Sequence, residues 1–469
     1  MDVEILSEKG KQKFTENGFI YVFDTFSKSD NSIKFWRCEK RKECKARVHT
    51  RNGEVLKKIN DHCHDSSAVS VEVAQVVTKV KKRAVETIEG TIQVINECMV
   101  NTTQAAQAVL PNTCSLRKLV RRKRNEVNAA PPNPLTLADL LLPDDYKTYK
   151  LRVNVTENFL LADNQDGAER ILIFGRQTWL PYLETSSVWY ADGTFSIAPP
   201  LFSQVYTLMG VINNGVHPIC YALLPNKMRG TYQRMFELLK ELLPNLNPLA
   251  INCDFEHAAF TAMKTSFPNV NIYGCFFHMA QNMKKKLGEM GVTREYNNDP
   301  QFALNARMVT SLAFVPPARL DDAIEVVSNA LPGNLQPLLD WFEDSYVGRM
   351  NRRGNGRRQP LFPIEMWNLY QRTLNGQDRT NNHAEAAHRR LKSEVGMVHP
   401  SIWKFIDALR KVQKGRDAYY EQLVAGNAPP LKLRKYRNAD ARILNLVTNF
   451  NDDSNILEYL RGLAHNYHM

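Results

Sequence analysis

Asp192, Asp254 and Glu385 each stand out against their neighbours. Asp192 follows the apolar run Trp189-Tyr190-Ala191, and Asp254 ends the run Leu249-Ala250-Ile251-Asn252-Cys253. Glu385 lies in Asn381-Asn382-His383-Ala384-Glu385, at a helix start with asparagines as candidate caps. Three acids from separated segments can bridge two divalent ions about 3.5–4 Å apart. Such a pair activates an oxygen nucleophile and stabilises a leaving oxygen at a phosphodiester. Mg²⁺ or Mn²⁺ suits a shell of carboxylates, water and phosphate. Strand-end acids also cap the next helix, and a glutamate in a first turn suits the helix dipole, so spacing alone leaves both readings open. Glu256 competes with Asp254, but it begins the next helix, and Asp254 is preferred.

A second constellation lies near the start of the chain. Cys38 and Cys44 are six residues apart, and His62 and His64 follow eighteen residues later. Two Cys and two His can close a tetrahedral zinc site. Cys63 competes as a ligand, but alternation along an extended chain turns it away from the face shared by His62 and His64. Cys275 and His278 have metal-ligand character too, but no second pair lies nearby.

These residues need elements to position them. Residues 19–23, 34–38 and 45–50 read as short strands, the last ended by Asn52-Gly53. A sheet that small has little core and normally needs a staple such as a metal. Residues 72–127 read as helical and basic, ending in a strongly basic helix over 115–124. The outline resembles a helix-turn-helix, and a spacer with a solvated basic face explains it as well. A Pro- and Asn-rich loop follows at 129–134. Residues 187–197, 204–213 and 216–224 read as three strands, with Asn213-Asn214-Gly215 as a hairpin signal. Helix 231–243, strand 249–253, helix 256–266, strand 270–276 and helix 279–287 follow. Three antiparallel strands extended by parallel ones through crossover helices is the ribonuclease H-like layout, an α/β fold with a mixed sheet.

The chain has 469 residues and a formal net charge of +12, which suits several domains and a polyanionic partner. The N-terminal segment lacks the apolar core of a signal peptide, and no stretch approaches the roughly 20 apolar residues of a membrane span. Eight cysteines in such a chain favour metal binding or burial over a disulfide framework. The expectation is cytosol or nucleus, with a DNA partner favouring the nucleus.

The words around these residues are similar to two known families. Phe35-Trp36-Arg37-Cys38, Cys44-Lys45-Ala46-Arg47 and His62-Cys63-His64 resemble the FLYWCH-type zinc finger, with Phe35 where the family often has Tyr. The resemblance implies structural zinc on Cys38, Cys44, His62 and His64, and a DNA or protein partner. Asp192-Gly193-Thr194-Phe195, Asp254-Phe255-Glu256-His257-Ala258-Ala259 and Cys275-Phe276-Phe277-His278 resemble the Mutator-like element (MULE) transposase domain, a branch of the DDE transposases. Asn381-Asn382-His383-Ala384-Glu385 resembles the segment that carries that family's final acid, and Glu394 lies outside it. The resemblance implies a ribonuclease H-like core with a helical insertion. It also implies Mg or Mn on Asp192, Asp254 and Glu385, a core role for Cys275 and His278, and a homo-oligomer acting on double-stranded DNA at element ends and target.

The expected organisation is a zinc finger at 1–66, a basic helical region at 72–127, and a linker and lead-in at 128–187. A core at 188–290, a helical insertion at 291–377, and the final acidic helix with C-terminal helices at 378–469 complete it. Arg41, Lys42, Lys45 and Arg47 in the finger, with Arg121 and Arg122 in the basic helix, are candidate DNA contacts. Arg352, Arg353, Arg357 and Arg358, in a Gly- and Asn-rich segment, and Arg389 and Arg390 after Glu385 join them. The leading function is a DNA transposase that cuts and joins strands. The alternatives are a transposase-derived, non-catalytic DNA-binding regulator and a zinc-finger protein-interaction adaptor.

Overall fold

The computed structural model describes residues 5–6, 12–87, 89–127, 131–351, 356–451 and 453–467. Contacts divide the chain into two units, Met1–Pro132 and Asn133–Met469. Among the described residues, no helix is long and apolar enough to cross a membrane.

In the first unit, β1 (Ile5–Leu6), β2 (Gln12–Glu16), β3 (Phe19–Phe26), β4 (Ile33–Cys38), β5 (Arg47–Arg51) and β6 (Glu54–Ile59) form one sheet in chain order. Every neighbouring pair is antiparallel. Two hairpins turn on Asn-Gly pairs, Asn17-Gly18 at φ 48° and 79° and Asn52-Gly53 at φ 51° and 88°. Both residues of each pair take positive φ, as a two-residue turn matching strand twist requires. The buried core under the sheet is small: Tyr21, Trp36 and Val48, with Phe14, Phe19, Phe23 and Val55 packed at its edge. Helices Ala68–Glu86, Thr91–Met99, Gln104–Val109 and Thr113–Val127 follow. The first, second and fourth of these share a second core of Val80, Ala84, Val94, Ile95, Cys98, Leu116 and Val120.

The second unit is built on a mixed sheet. A separate hairpin, β7 (Thr148–Arg152) and β8 (Val155–Asn158), precedes β9 (Leu160–Asp163), β10 (Leu172–Gly175), β11 (Val188–Thr194), β12 (Gln204–Ile212), β13 (Gly215–Leu224), β14 (Ala250–Cys253) and β15 (Asn271–Gly274). The last seven run in the order β15-β14-β11-β12-β13-β10-β9. Strands β11, β12 and β13 are antiparallel, whereas β14 and β15 extend the sheet parallel to β11. Residues 128–187, expected as linker and lead-in, therefore supply two strands of this sheet. The apolar run Ile171-Leu172-Ile173-Phe174 is their sequence trace, and all four residues are buried.

Both faces of the sheet are covered, and the two-residue period sorts the side chains. Trp189, Ala191, Tyr206, Leu208, Ala222 and Leu224 enter one core with Tyr232, Met235, Phe236, Met263 and Met279 of the helices Arg229–Leu242, His257–Ser266 and Phe276–Glu289. Val205, Tyr221 and Leu223 point the other way, onto Leu391 of the helix Asn382–Val395 and onto Phe405, Ile406 and Leu409 of the helix Ile402–Val424. The first core continues without a break into the helical segment 291–377 and the last two helices, through Phe314, Leu339, Trp367, Val447 and Leu460. The expected boundary at 377/378 thus runs through one core.

His217, on β13, is fully buried, and neither ring nitrogen has a hydrogen-bond partner among the described residues. Trp179 and Tyr419 lie 5.4 and 5.1 Å from its ring. Burial, helped by the Arg416 cation, lowers its pKa from 6.5 to about 3. The unfolded chain therefore takes up a proton that the folded chain refuses between those values. This contribution to stability is present above pH 6.5 and is lost as pH falls towards 3. His217→Phe is expected to flatten the acid limb of the stability curve, read by urea unfolding at pH 7.5 and pH 5.

Candidate active site and zinc centre

Strands β11, β14 and β15 run parallel, so their C-terminal ends lie at one edge of the sheet, where open α/β sheets commonly bind ligands. Tyr190 pairs with Asn252 and Cys253 with Gly274. Continuing that register by two residues sets Asp192 level with Asp254, and by one residue sets Asp254 level with Cys275. Asp192 is 6 % exposed. Its Oδ1 accepts the Gly193 N–H at 2.9 Å. Burial first, then the charge of Asp254, pushes its carboxyl up to about 8, and Glu385 and Glu256 add to the rise. Burial also raises Asp254, whose Oδ1 accepts the Glu256 N–H at 3.3 Å. Glu256 is tied down elsewhere: Tyr232 donates its hydroxyl to Glu256 Oε1 at 2.7 Å, and Glu256 stands at the N-cap position of the helix His257–Ser266 without a side-chain cap bond. A Cβ at Gly193 would meet Gln204 Oε1 at 2.5 Å, so any larger residue there would have to displace that buried side chain.

Glu385 reaches this edge from more than a hundred residues away through packing. Asp192 and Tyr190 point to the sheet face covered by the helix Asn382–Val395, whose Ala384 and Ala387 pack against Tyr190 and Met209. Small residues at that seam let the helix approach the strand closely. Asn381 is fully buried and does not cap the helix with its side chain. Instead its Nδ2 donates to the Ala191 carbonyl at 3.0 Å, beside Asp192. The Asn381 N–H donates to Cys275 Sγ at 3.1 Å. Cys275 is thus a fastener between the end of β15 and the helix that carries Glu385. His278 lies one turn further along, where burial lowers its pKa against the opposing pull of Glu385. Among the described residues, Glu385 Oε1 and His278 Nδ1 are buried with no hydrogen-bond partner. Orphaned acceptors beside mutually repelling carboxylates are what a bound cation would satisfy. Glu394 is elsewhere, paired with Lys411 at 3.3 Å.

His388 is the residue that sequence reasoning missed. Its Nδ1 lies 3.5 Å from Asp192 Oδ2, and its Nε2 lies 3.2 Å from Thr207 Oγ1. The available signal was its spacing, three residues after Glu385 and so on the same helical face. His388→Ala is expected to weaken Mn²⁺ binding about 10–100-fold, the usual scale for losing a group that orients a ligand. His388→Asn, which keeps a donor near the Nδ1 position, is expected to recover part of the loss in a calorimetric Mn²⁺ titration.

In the first unit, Cys38, Cys44, His62 and His64 place one donor atom each within 4.8 Å of one another. Cys38 Sγ lies 3.2 Å from His64 Nε2, and Cys44 Sγ lies 3.4 Å from His62 Nδ1. The outer nitrogens are held as well: His62 Nε2 meets Tyr21 Oη at 2.8 Å, and His64 Nδ1 meets the Asp65 carbonyl at 3.0 Å. Such outer contacts select the ring nitrogen left to bind metal. Phe19 stacks on the His62 ring at 3.6 Å. Cys63 is exposed, with its Sγ near the Glu43 carbonyl and beside Cys44.

Residues 4–64 match the FLYWCH zinc finger domain. Residues 188–282 match the MULE transposase domain. No curated protein matches the chain. The finger match and the Cys₂His₂ cluster together point to structural zinc, and the two domains point to a transposase-related, DNA-binding protein. Asp192, Asp254, Cys275 and His278 fall inside the matched MULE domain, whereas Glu385 and His388 lie beyond it.

The candidate DNA contacts separate into groups. In the FLYWCH domain Arg41, Lys42, Lys45 and Arg47 are all exposed. Arg389 and Arg390 are exposed on the Glu385 helix, and Arg121 and Arg122 on the helix Thr113–Val127. Arg358 is exposed, but Arg357 is not available: it is paired with Asp321 at 2.8 Å and Glu343 at 3.0 Å. Arg352 and Arg353 lie outside the described residues. A cation the sequence reading passed over, Lys227, lies beside Asp254 and over the Phe195 ring at 3.3 Å.

Proposed function

We propose that this chain is a DNA transposase whose second unit has a ribonuclease H-like core and cuts and joins strands by two-metal phosphodiester chemistry. The observation that supports the proposal is that Asp254 and Glu385 both act electrostatically on the buried Asp192, while a Glu385 oxygen is buried without a hydrogen-bond partner among the described residues. Asp192, Asp254 and Glu385 would hold Mg²⁺ or Mn²⁺, which when bound activates the attacking oxygen and stabilises the leaving one. His388 orients Asp192, Cys275 and Asn381 fix the Glu385 helix, and the sheet excludes water from the back of the site. Lys227, Arg389 and Arg390 supply positive charge at the rim for the DNA backbone. The FLYWCH domain holds zinc on Cys38, Cys44, His62 and His64 and adds DNA affinity. Work on DNA places the protein in the nucleus, and paired element ends call for more than one copy.

The test is cleavage of duplex DNA carrying the inverted repeats that flank the gene, with Mg²⁺ or Mn²⁺. Nicking by the wild type and none by Asp192→Ala, Asp254→Ala, Glu385→Ala is the expected result. Equal nicking by both would overturn the proposal. Tight binding of the repeats without nicking by the wild type would identify the protein as a non-catalytic DNA-binding regulator.

A further inference from the structure

We infer that the helix Thr113–Val127, which lies outside both matched domains, is a DNA-reading helix that enters the major groove in fixed register with the zinc finger. Leu116 and Val120 bury one side of it in the core shared with the helices Ala68–Glu86 and Thr91–Met99. Arg124 locks its far end by donating to the Ala84, Thr87 and Glu89 carbonyls at 2.9, 3.1 and 2.6 Å. The opposite side is exposed and carries Ser115, Lys118, Arg121 and Arg122. The helix holds six Lys or Arg against one Glu, with no acid in its first turn. Among the described residues, Lys118 and Arg121 have no ion-pair or hydrogen-bond partner. Arg122 has a 3.8 Å contact with Glu126, too long to hold it.

With the segment before it, the helix Thr113–Val127 has the outline of a helix-turn-helix. The helix Gln104–Val109 comes before, joined through Leu110-Pro111-Asn112, a three-residue turn of the length the motif uses. Asn112 Oδ1 accepts the Ser115 N–H at 2.9 Å and so starts the second helix. The first helix is held in turn: Glu72 accepts the Thr103 N–H at 2.7 Å and the Thr103 hydroxyl at 2.6 Å. Glu72 belongs to the helix Ala68–Glu86, which begins four residues after the zinc ligand His64. The Ser67 N–H that precedes this helix donates to the Gly18 carbonyl of the finger at 2.9 Å. Gly18 leaves no slack there, since a Cβ would meet Ser66 Cβ at 3.1 Å and Ser67 N at 3.3 Å. Finger and reading helix are therefore parts of one unit, and their DNA contacts should be contiguous.

The inference stands apart from strand cutting and is tested without added Mg²⁺ or Mn²⁺. Full-length, zinc-loaded protein is used to select duplexes from a random library, and the preferred duplex is then mapped by guanine-methylation interference. The triple substitution Lys118→Ala, Arg121→Ala, Arg122→Ala is expected to lower preference for the selected duplex about tenfold or more. It should also erase one contiguous block of major-groove interference, because arginine contacts to guanine edges carry base discrimination. Arg434→Ala, Lys435→Ala, Arg437→Ala removes three exposed charges from the second unit and should leave motif and block unchanged. An unaltered motif and interference pattern in the first variant would overturn the inference. So would equal losses in both variants, which would mean charge attraction without reading. Loss of the whole pattern in His62→Ala together with no effect of the helix substitutions would assign the reading to the finger alone.

Discussion

Asp192→Asn is expected to abolish strand cleavage, by about three orders of magnitude or more, while making the metal-free protein more stable above neutral pH. The size of the activity loss is that of removing a group that acts on charge developing in the transition state. The stability gain follows from the same burial. The folded carboxyl is raised from 3.8 to about 8 by desolvation and by Asp254. The folded state therefore holds a proton that the unfolded chain releases, and stability falls as pH rises from about 4 to about 8. An amide is neutral throughout, so the variant should match the wild type below pH 4 and exceed it by on the order of a few kcal/mol at pH 9. Mg²⁺ or Mn²⁺ should raise the wild-type melting temperature and leave that of the variant unmoved. Differential scanning calorimetry at pH 4, 7 and 9, with and without metal, reads all three. A variant less stable than the wild type at pH 9 would show that Asp192 is a structural carboxylate.

Removing zinc is expected to unfold the six-stranded sheet while the second unit keeps its structure. Among the described residues, the main apolar cluster beneath that sheet has just three buried members, Tyr21, Trp36 and Val48. Burying three such side chains contributes roughly 1.5–3 kcal/mol each, far below the entropy of ordering some fifty residues. A structural zinc site supplies on the order of 10–16 kcal/mol. Without the ion, the four donor atoms within 4.8 Å of one another would lose the bonds that tie β4, the following loop and the 62–64 segment together. Cys44→Ser, or chelation by 1,10-phenanthroline, should therefore speed amide exchange across 12–64 to the unfolded rate. Exchange in β11 to β14 should not change, because that sheet has its own core on both faces. Full protection of 12–64 in zinc-free protein would refute the assignment.

The zinc cluster was legible in the sequence because its geometry is local. Cys38 ends a strand, Cys44 follows in the next loop, and His62 and His64 lie two residues apart just after β6, so all four ligands come from one short stretch of chain. The strands around Asp192 and Asp254 were legible for a similar reason. Apolar runs of strand length, with Asn213-Asn214 taking φ 49° and 62° at the hairpin, carry their own boundaries. The strands β9 and β10 were hidden, because short runs in a stretch rich in charge and loops have no periodicity of their own. They are recognisable only once β13 offers an edge to pair with.

The sequence by itself determined which residues could do chemistry: an acid ending each of two parallel strands, an acid opening a helix, and four soft ligands on a small sheet. Only the tertiary structure decided which of them meet. Glu385 comes to Asp192 because Ala384 and Ala387 let its helix lie against Tyr190, and because Asn381 and Cys275 anchor that helix to β11 and β15. The same packing brings His388 to Asp192, sets Glu256 against Tyr232, and draws Arg357 into ion pairs away from solvent. Each of these contacts joins residues whose separation along the chain says nothing of their separation in space. They depend on how close two surfaces come, and that is set by side-chain volume at the seam.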